Sequence, residues 1–330
     1  MQFPSDEALM TGPSALAEKT AEKAQFPEVS PDYVAGFATI VGRPNVGKST
    51  LTNAIVGQKI AITSMRPETT RHTIRGVHST DIGQLILLDT PGYHRPRTLL
   101  GKRLNDQVRE ALTQVDLVFF CMPADQKVGP GDRFIARELR DVKVPVIAVV
   151  TKTDLVDQGR LLEHLTEVAQ LGDWAEIVPV SAKKNKQVDV LVDVALKYLP
   201  PSPPLYPLDA LSDESDEKMI AEFIREAALE GVREELPHSL AVQVEEIIER
   251  DRVKGQKSRP LLDIHVNVYV ERDSQKAIII GKGGARLKHI GTVSRQNIEQ
   301  YLGRRVYLDL HVRTAKDWQS DPKMLGRLGL

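Results

Sequence analysis

Short runs of consecutive apolar residues alternate with amphipathic stretches through the first 200 residues of the chain. Helical spacing of apolar residues predicts helices at 48–56, 100–114, 132–139, 160–170 and 187–198. The apolar runs between them are predicted to be buried strands: GFATIVG (36–42), QLILLD (84–89), DLVFFCM (116–122), PVIAVVT (145–151) and AEIVPVS (175–181). Apolar strands that alternate with helices are typical of a mostly parallel sheet with helices on both faces. The pattern therefore predicts an α/β domain over 35–200.

The pattern changes after a proline-rich segment. In LPPSPPLYP (199–207), five prolines occur within eight positions, a density that neither a helix nor a central strand tolerates. We predict a linker over 201–213 and a second, α+β domain over 214–330. In that domain an acidic amphipathic helix precedes two alternating stretches, which flank a basic loop (252–259), and a helix and a third alternating stretch follow. Residues 1–34 show no sustained period and are predicted to be a flexible N-terminal extension.

The composition, 41% hydrophobic and 27% charged residues, is that of a soluble globular protein. No apolar run is long enough to span a bilayer, and the N-terminus lacks the pattern of a signal peptide. The single cysteine, Cys121, excludes an internal disulfide framework and fits a reducing cytoplasm. We therefore expect a cytoplasmic protein.

The charges are distributed unevenly between the two halves. Residues 254–330 hold 15 Lys and Arg against 7 Asp and Glu, a net charge of +8, whereas the rest of the chain holds 29 against 38, a net charge of −9. A basic module next to an acidic remainder favours a polyanionic partner for that module. The alternative is a chance distribution of surface charge.

Residues 42–50, GRPNVGKST, follow one predicted strand and open a predicted helix. They match G-x-x-x-x-G-K-[ST], in which main-chain N–H groups and a helix N-terminus hold phosphate oxygens. Lys48 is expected to reach the β and γ phosphates, and the Ser49 hydroxyl to bind Mg²⁺. A glycine turn without a ligand is the alternative, which the flanking strand and helix disfavour. The other residues expected to contact the nucleotide here are Gly42, Asn45, Val46, Gly47 and Thr50.

The motif DTPG (89–92) ends the predicted strand QLILLD. Asp89 is expected to hold Mg²⁺ through water, and Gly92 to offer its N–H to a γ-phosphate. The segment SMRPETTRHTI (64–74) lies between the two motifs and contains adjacent threonines. Thr70, in preference to Thr69, is expected to give Mg²⁺ a second hydroxyl ligand and to lose it after hydrolysis. The spacing alone leaves the choice between the two threonines open.

Two further motifs, TKTD (151–154) and SAK (181–183), end the last two predicted strands of the first domain. The Asp154 carboxylate can accept hydrogen bonds from N1–H and the exocyclic amine of guanine, a donor pair that adenine lacks. The stem of Lys152 can cover the base, and the Ala182 N–H can meet the O6 carbonyl. Thr151, Ser181 and Lys183 complete the expected guanine site.

These motifs, in this order and spacing, resemble a small GTPase domain. GRPNVGKST, TTRH and DTPG are more closely similar to the Era family of ribosome-associated bacterial GTPases, and the resemblance extends from residue 36 to the C-terminus. It implies a P-loop GTPase that binds GTP or GDP with Mg²⁺. The residues expected to carry hydrolysis are Lys48, Thr70, Gly92 and Asn45. K⁺ is expected as a further cofactor, because Asn45 resembles the asparagine that recruits K⁺ in potassium-stimulated relatives.

Two positions depart from common GTPase motifs. Thr151 replaces the asparagine of N-K-x-D, and because threonine lacks the amide that tethers the phosphate loop, we expect weaker nucleotide affinity with guanine preference retained through Asp154. Tyr93 follows DTPG where many GTPases have a glutamine that orients water. Era-like proteins also lack this glutamine, so the resemblance implies slow intrinsic turnover.

The stretch AIIIGKGGARL (277–287) contains a second glycine-rich loop. It has no hydroxyl residue after Lys282 for Mg²⁺, and Arg286 stands where a dinucleotide fingerprint needs a glycine. Its position between two predicted helices resembles the GXXG loop of a type II KH domain, which clamps a single-stranded nucleic-acid backbone. The β-branched run favours a strand, whereas the KH resemblance and a cap at Ser274 favour a short helix with Ile278 and Ile279 in the core. The expected RNA-binding residues are Gly281, Lys282, Gly283, Gly284, Arg286 and Lys288.

The Era resemblance implies a GTP-driven switch that binds single-stranded 16S rRNA near its 3′ end and assists assembly of the 30S subunit. A monomer is expected, with no DNA partner. Tyr307 and Trp318 are candidate base-stacking residues, and burial is at least as good an interpretation for each. Two other classes stay open: a membrane-surface GTPase, peripheral at the inner face of the cell membrane, and a metabolic P-loop kinase or ATPase. The strand-like alternation of the basic region disfavours the former, and TKTD with SAK disfavours the latter.

Overall fold

The structure, a computed structural model, describes residues 29–63, 70, 73–93, 99–232, 236–250 and 261–328. Most of the predicted N-terminal extension, Thr69 and the basic loop at 252–259 lie outside the described residues. Within these ranges, no helix combines the length and the apolar character needed to cross a membrane.

In the described part of the chain, six strands form the sheet of the first domain: β1 (Val34–Val41), β2 (Ile74–Ser79), β3 (Gly83–Asp89), β4 (Leu117–Pro123), β5 (Val146–Thr151) and β6 (Glu176–Pro179). The strand order is β2-β3-β1-β4-β5-β6, and only β2, paired with β3, runs antiparallel. The predicted mostly parallel sheet is confirmed. The edge strand β2 was not predicted, because IRGVHS contains glycine, arginine and histidine in place of an apolar run.

Helices cover both faces of this sheet: α1 (Lys48–Val56), α2 (Leu99–Thr113), α3 (Pro130–Glu138), α4 (Gln158–Ala169) and α5 (Val188–Leu196). Alternate residues of each strand point to opposite faces. Ile40 therefore packs in one core with α1 and α5, and Val41 packs in the other with α2, α3 and α4. The motifs follow the carboxyl ends of β1, β3, β5 and β6, which the parallel arrangement brings to one edge of the sheet, where ligands bind in open α/β sheets.

The second domain has a three-stranded sheet, β7 (Ala241–Glu249), β8 (Leu262–Val270) and β9 (Val306–Thr314), in that order. The β7–β8 pair is antiparallel and the β8–β9 pair is parallel. The further helices of the described chain are α6 (Asp216–Leu229), α7 (Leu236–Ser239), α8 (Asp273–Ile280), α9 (Ala285–Leu302) and α10 (Pro322–Arg327). The core lies between one face of the sheet and helices α6, α8 and α9. This is the predicted order of elements, with GKGG between α8 and α9.

The stretch AIIIG is helical despite its β-branched residues. Helix α8 starts at Asp273, one residue before the predicted cap at Ser274. The Gln275 side chain accepts hydrogen bonds from the main-chain N–H groups of Glu271 and Arg272 (2.9 and 3.1 Å), which stabilises the start of the helix. Ile279 is fully buried, but Ile278 is 51% exposed, so the prediction that both isoleucines lie in the core was wrong for Ile278. On a two-turn helix, adjacent residues point about 100° apart, and only one of them can face the core.

The proline-rich segment after α5 lies along the edge of the first domain. The main-chain N–H groups of Leu205 and Tyr206 donate to the Gln84 side chain (2.8 and 2.9 Å). Val77 of β2 donates its N–H to the Leu211 carbonyl (2.9 Å). The bond from Val77 satisfies a main-chain group at the open edge of the sheet, which would otherwise be available for pairing with another chain.

A small apolar cluster joins the two domains. Leu100 and Leu104 of α2 pack with Trp318 and Leu325 from the C-terminal segment. Trp318 is fully buried, and its indole N–H donates to the Ser239 carbonyl (2.8 Å). Trp318 is therefore a core residue of this cluster and is not available to stack on a base. Tyr307 is half-exposed on the outer face of the second sheet, with the Arg250 guanidinium 5.3 Å from its ring centroid.

Candidate functional site

The loop between β1 and α1 is shaped by glycine. Gly42 has φ 157°, and a Cβ atom there would lie 2.8 Å from the Cys121 carbonyl oxygen, so no side chain fits. Gly47 has φ 102°, in the left-handed region, directly before the first turn of α1. This conformation leaves the helix N-terminus open toward the loop, as a phosphate site requires. Asn45 is exposed at the bend, also with a left-handed φ of 64°.

Lys48 is the first residue of α1 and is only 6% exposed, with its side chain directed into this loop. Its ammonium donates to the carbonyl oxygens of Gly42 and Arg43 (3.3 and 3.2 Å). Burial lowers the pKa of Lys48, and the negative charge of Asp89 opposes that change. The charge is therefore held inside the loop by main-chain carbonyls, in the position from which it can reach phosphate oxygens.

The three residues predicted to hold Mg²⁺ meet beside Lys48. The hydroxyls of Ser49 and Thr70 are 3.0 Å apart, although 21 positions separate the residues in the chain. Thr70 is buried. The Asp89 side chain is fully buried, and neither carboxylate oxygen has a hydrogen-bond partner within the described residues. Two hydroxyls and an unsatisfied carboxylate form a hard-oxygen donor set of the kind that Mg²⁺ prefers, so the residues fit this ion.

Burial raises the pKa of Asp89 to about 6, with the Ser49 hydroxyl and the Lys48 ammonium opposing the rise. Because the folded pKa lies above the unfolded value, ionised Asp89 destabilises the metal-free fold above pH 6. The penalty is complete there, at roughly 3 kcal/mol, and it disappears as the pH falls toward 4. A bound cation removes this cost.

We expect the Asp89→Asn variant, freed of magnesium and nucleotide, to melt at a higher temperature than the wild type at pH 7.5. The difference should shrink as the pH approaches 4.5, because the wild-type carboxyl becomes protonated. Thermal unfolding in EDTA at the two pH values measures this, with Asp193→Asn, at an exposed carboxylate, as the control. Equal effects of Asp89→Asn at both pH values would contradict the assignment.

The DTPG loop packs directly on the phosphate loop. A Cβ atom on Gly92 would lie 3.1 Å from Cα of Pro44, so glycine is needed for the contact. The Tyr93 N–H donates to the Gly42 carbonyl (3.2 Å). The Tyr93 hydroxyl donates to Glu138 (3.0 Å) and accepts from Arg109 (3.2 Å), which commits this side chain to contacts with α2 and α3. Tyr93 therefore does not substitute for a water-orienting glutamine.

The two predicted guanine motifs lie side by side. The Ser181 hydroxyl donates to Asp154 Oδ1 (2.6 Å), which fixes the orientation of that carboxylate. Lys152 has a left-handed φ of 57°, and its ammonium lies 3.7 Å from Asp125. Ala182 follows the buried Ser181 and is half-buried, and Lys183 next to it is exposed. An oriented carboxylate beside a half-buried main-chain N–H is the arrangement that selects guanine over adenine.

Thr151 was expected to leave the phosphate loop without a tether, and the structure corrects this expectation. Its hydroxyl donates to the Val46 carbonyl (2.6 Å), within the phosphate loop itself. Thr151 is 2% exposed, so this hydrogen bond is shielded from water. A hydroxyl thus fixes the loop to the end of β5, and the sequence motif alone gave no sign of it.

The GKGG loop stands exposed in the second domain, between α8 and α9. Gly281, Gly283 and Gly284 all have left-handed φ values, of 72°, 59° and 78°. Lys282 and Gly283 are exposed. Beside the loop, a groove of about 560 Å³ runs between α9 and β9. The groove is lined by basic residues, by the candidate stacking residue Tyr307 and by apolar residues: Lys288, Arg295, Tyr307, Leu287, Val306, Leu308 and Leu310, with Gly284 at the loop.

Arg286, one of the predicted RNA-binding residues, has partners within its own domain. Its guanidinium donates to the carbonyl oxygens of Ala228 and Glu230 (3.2 and 2.6 Å) and so satisfies the C-terminal end of α6. We therefore remove Arg286 from the proposed RNA contacts. Arg295 takes its place on the groove and was missed, although it lies seven residues after Lys288, on the same face of α9.

Two family models match the chain. A model described as 50S ribosome-binding GTPase matches residues 37–152, and a KH domain model matches residues 235–319. They cover the two parts of the chain that hold the two glycine-rich loops.

Relatives and solved structures cover most of the chain. GTPase Era of Streptomyces coelicolor is 62% identical over an alignment of 301 residues that covers 89% of this chain and 94% of the relative. GTPase Era of Mycobacterium avium is 58% identical over 301 residues, 90% of this chain and 99% of the relative. Two crystal structures of Era proteins also match this chain. One is an Aquifex aeolicus Era variant bound to GDP and AlF4⁻, and the other is Era with MgGDPNP and nucleotides 1506–1542 of 16S ribosomal RNA. Each is 37% identical to this chain with a TM-score of 0.85, and each match covers 90% of this chain and 99% of the crystallised chain.

Proposed function

The chain belongs to the Era family of GTPases, and we propose that it binds single-stranded 16S rRNA near its 3′ end and assists assembly of the 30S ribosomal subunit. It binds GTP and GDP with Mg²⁺ and hydrolyses GTP. Family membership excludes a metabolic kinase or ATPase. We assign the nucleotide site to a GTPase domain at 35–200 and the RNA site to a KH domain at 214–330, with a linker at 201–213 and an N-terminal extension at 1–34.

One observation carries the nucleotide assignment: the convergence of Ser49, Thr70 and the unsatisfied Asp89 beside Lys48. Lys48 would hold the β and γ phosphates, and Gly92 would offer its N–H to the γ-phosphate. Mg²⁺, held by Ser49, Thr70 and Asp89, would supply positive charge to the transferring phosphoryl group. Asp154 and Ala182 would hold guanine, with Lys152 against the base. No residue of this set orients the attacking water, which supports slow intrinsic turnover.

Asn45 supports a further proposal, a K⁺ requirement. It lies exposed in a left-handed bend of the phosphate loop. A cation held there beside a bound triphosphate would stabilise the charge that develops on the transferring phosphoryl group. We expect GTP to be hydrolysed several-fold faster in K⁺ than in Na⁺ buffer of equal ionic strength. Equal rates in the two buffers would remove the support for this role of Asn45.

The GKGG loop and its groove support the RNA assignment. The left-handed glycines carry no side chain, so a sugar–phosphate backbone can come close to the main chain of the loop. Lys282, Lys288 and Arg295 place positive charge along the path of that backbone. The leucines of the groove offer apolar surface to unstacked bases, which single-stranded RNA presents and a duplex hides. The Era structure bound to a 16S rRNA fragment supports the same class of ligand.

Replacing Lys282 and Arg295 together with alanine should weaken binding of single-stranded RNA by about tenfold. The slope of log affinity against log salt concentration should also become shallower, by about one for each side chain that no longer neutralises a phosphate. GDP binding should stay unchanged, because both residues lie in the second domain. Fluorescence titrations of labelled RNA at several salt concentrations measure both effects. Lys143→Ala with Lys197→Ala, at two exposed lysines of the first domain, removes the same charge as a control.

The partner is tested by sedimentation. A monomeric protein that assists subunit assembly should sediment with 30S particles in the presence of a GTP analogue, and the Lys282→Ala, Arg295→Ala variant should do so less. Preferential sedimentation with anionic liposomes would instead favour peripheral membrane association.

A further inference from the structure

A carboxylate of the second domain lies at the start of the segment that carries Thr70. Glu226, on α6, accepts a hydrogen bond at Oε1 from the main-chain N–H of Thr63 (3.0 Å) and another from the Thr63 hydroxyl (3.4 Å). Thr63 is the last described residue before Thr70. The Glu226 side chain is 16% exposed and Thr63 is exposed, so the contact lies at the protein surface.

The second oxygen of this carboxylate has its own partner. The Lys59 ammonium lies 2.5 Å from Glu226 Oε2 and 5.7 Å from the centroid of the Phe223 ring. Each oxygen is therefore bound to a different group of the first domain. Lys59 fixes the orientation of the carboxylate, and the other oxygen remains directed at Thr63.

Within the described residues, helix α1 of the first domain holds the chain just before Thr63. Asn53 of α1 accepts hydrogen bonds from the N–H groups of Ile60 and Ala61 (2.9 Å each) and donates to the Ala61 carbonyl (2.7 Å). Residues 60–62 are buried, and Thr63 is exposed. The contact between Thr63 and Glu226 therefore fixes the chain seven positions before Thr70.

Helix α6 is a rigid support for Glu226. Phe223 is buried in the core of the second domain and packs edge-on against Tyr301 of α9, with 5.7 Å between ring centroids. At the end of α6, Arg286 holds the carbonyls of Ala228 and Glu230. A side chain on a helix fixed at these points holds its target more accurately than one on a loop.

We propose that Glu226 is a positioning residue for GTP hydrolysis. It holds the chain at Thr63 and thereby favours the arrangement in which the Thr70 hydroxyl lies beside Ser49. Fixing one end of a short segment lowers the entropy that must be lost to order its other end. Glu226 contacts neither the guanine motifs nor the phosphate loop, so its effect falls on turnover and not on the binding of GDP. The inference rests on the proposed role of Thr70 as a ligand of Mg²⁺.

The test compares kcat, the GDP dissociation constant and the half-saturating Mg²⁺ concentration in variants of the full chain. Glu226→Ala should lower kcat about tenfold and raise the Mg²⁺ requirement, with GDP affinity changed less than about twofold. Glu226→Gln keeps an acceptor for the Thr63 N–H and should recover most of kcat. Glu217→Gln, at an exposed carboxylate on the same helix, is the control and should match the wild type. An unchanged kcat in Glu226→Ala would overturn the proposal.

A double-mutant cycle with Thr70→Ala tests the role of Glu226 separately from the role of Thr70 as a ligand of Mg²⁺. If Glu226 acts through Thr70, adding Glu226→Ala to Thr70→Ala should lower kcat no further. Additive reductions in kcat would show another route and overturn the proposal. A normal kcat in Thr70→Ala would instead contradict the role of Thr70 in the proposed function. RNA affinity and the melting temperature, retained in each variant, show that loss of folding is not the cause.

Discussion

Replacing Lys48 with alanine should lower kcat for GTP hydrolysis by about a thousandfold. The ammonium is buried, held by the carbonyls of Gly42 and Arg43, and so is already placed before any nucleotide binds. A charge fixed in a site shielded from water stabilises developing phosphoryl charge without reorganisation, and removing one such donor costs about 10²–10³ in rate. The reduced nucleotide affinity adds to the effect on kcat/KM.

Single-turnover hydrolysis at saturating GTP measures the change in kcat separately from affinity. Lys143→Ala is the control, because it removes an equal charge from the surface of the same domain. A Lys48→Ala variant that retains more than a tenth of wild-type kcat would contradict the assigned role of the lysine.

The second large effect concerns the base. Asp154→Asn should weaken GTP binding by about a hundredfold or more. The amide that replaces the carboxylate is neutral and has one acceptor oxygen, so one hydrogen bond from guanine is weakened and the other is lost. Xanthine carries a carbonyl where guanine carries its exocyclic amine, so the new amide can donate to it. The variant should therefore bind the xanthine nucleotide more tightly than the guanine nucleotide, the reverse of the wild type.

Competition titrations with GDP, XDP and ADP measure this reversal. The bond from Ser181 to Asp154 should survive the change, since an amide oxygen can accept it as well. The variant should thus stay folded, with a melting temperature close to that of the wild type. Unchanged preference for GDP over XDP would show that Asp154 does not read the base.

Features of the fold that depend on the local hydrophobic pattern could be predicted from the sequence. The continuous apolar strands of the first domain are buried on both faces, and their pattern therefore located the sheet and the loops at its carboxyl edge. The strand β2 was missed because an edge strand that pairs on one side needs no apolar run. Its place was set by pairing with β3, a contact that no window of sequence contains.

The other differences between the sequence-based predictions and the structure come from single side chains whose partners lie far away in the chain. Arg286 is basic and next to GKGG, so composition assigned it to RNA, but its partners lie 56 and 58 positions earlier in the chain. Thr151 tethers a carbonyl 105 positions away. Trp318 is buried because α2 of the other domain packs over it. In each case the residue type was known from the sequence, but its distant partner could not be identified from it.

The central claim is that one chain holds a GTP site and a separate groove for single-stranded RNA. Photo-crosslinking of the protein, loaded with a GTP analogue and Mg²⁺, to total cellular RNA tests it most directly when both sides of the crosslink are mapped. We expect RNA from the 3′ end of 16S rRNA, crosslinked to residues between Gly281 and Arg295, and we expect the Lys282→Ala, Arg295→Ala change to abolish these crosslinks. Crosslinks confined to the first domain, or to RNA of no common origin, would contradict it.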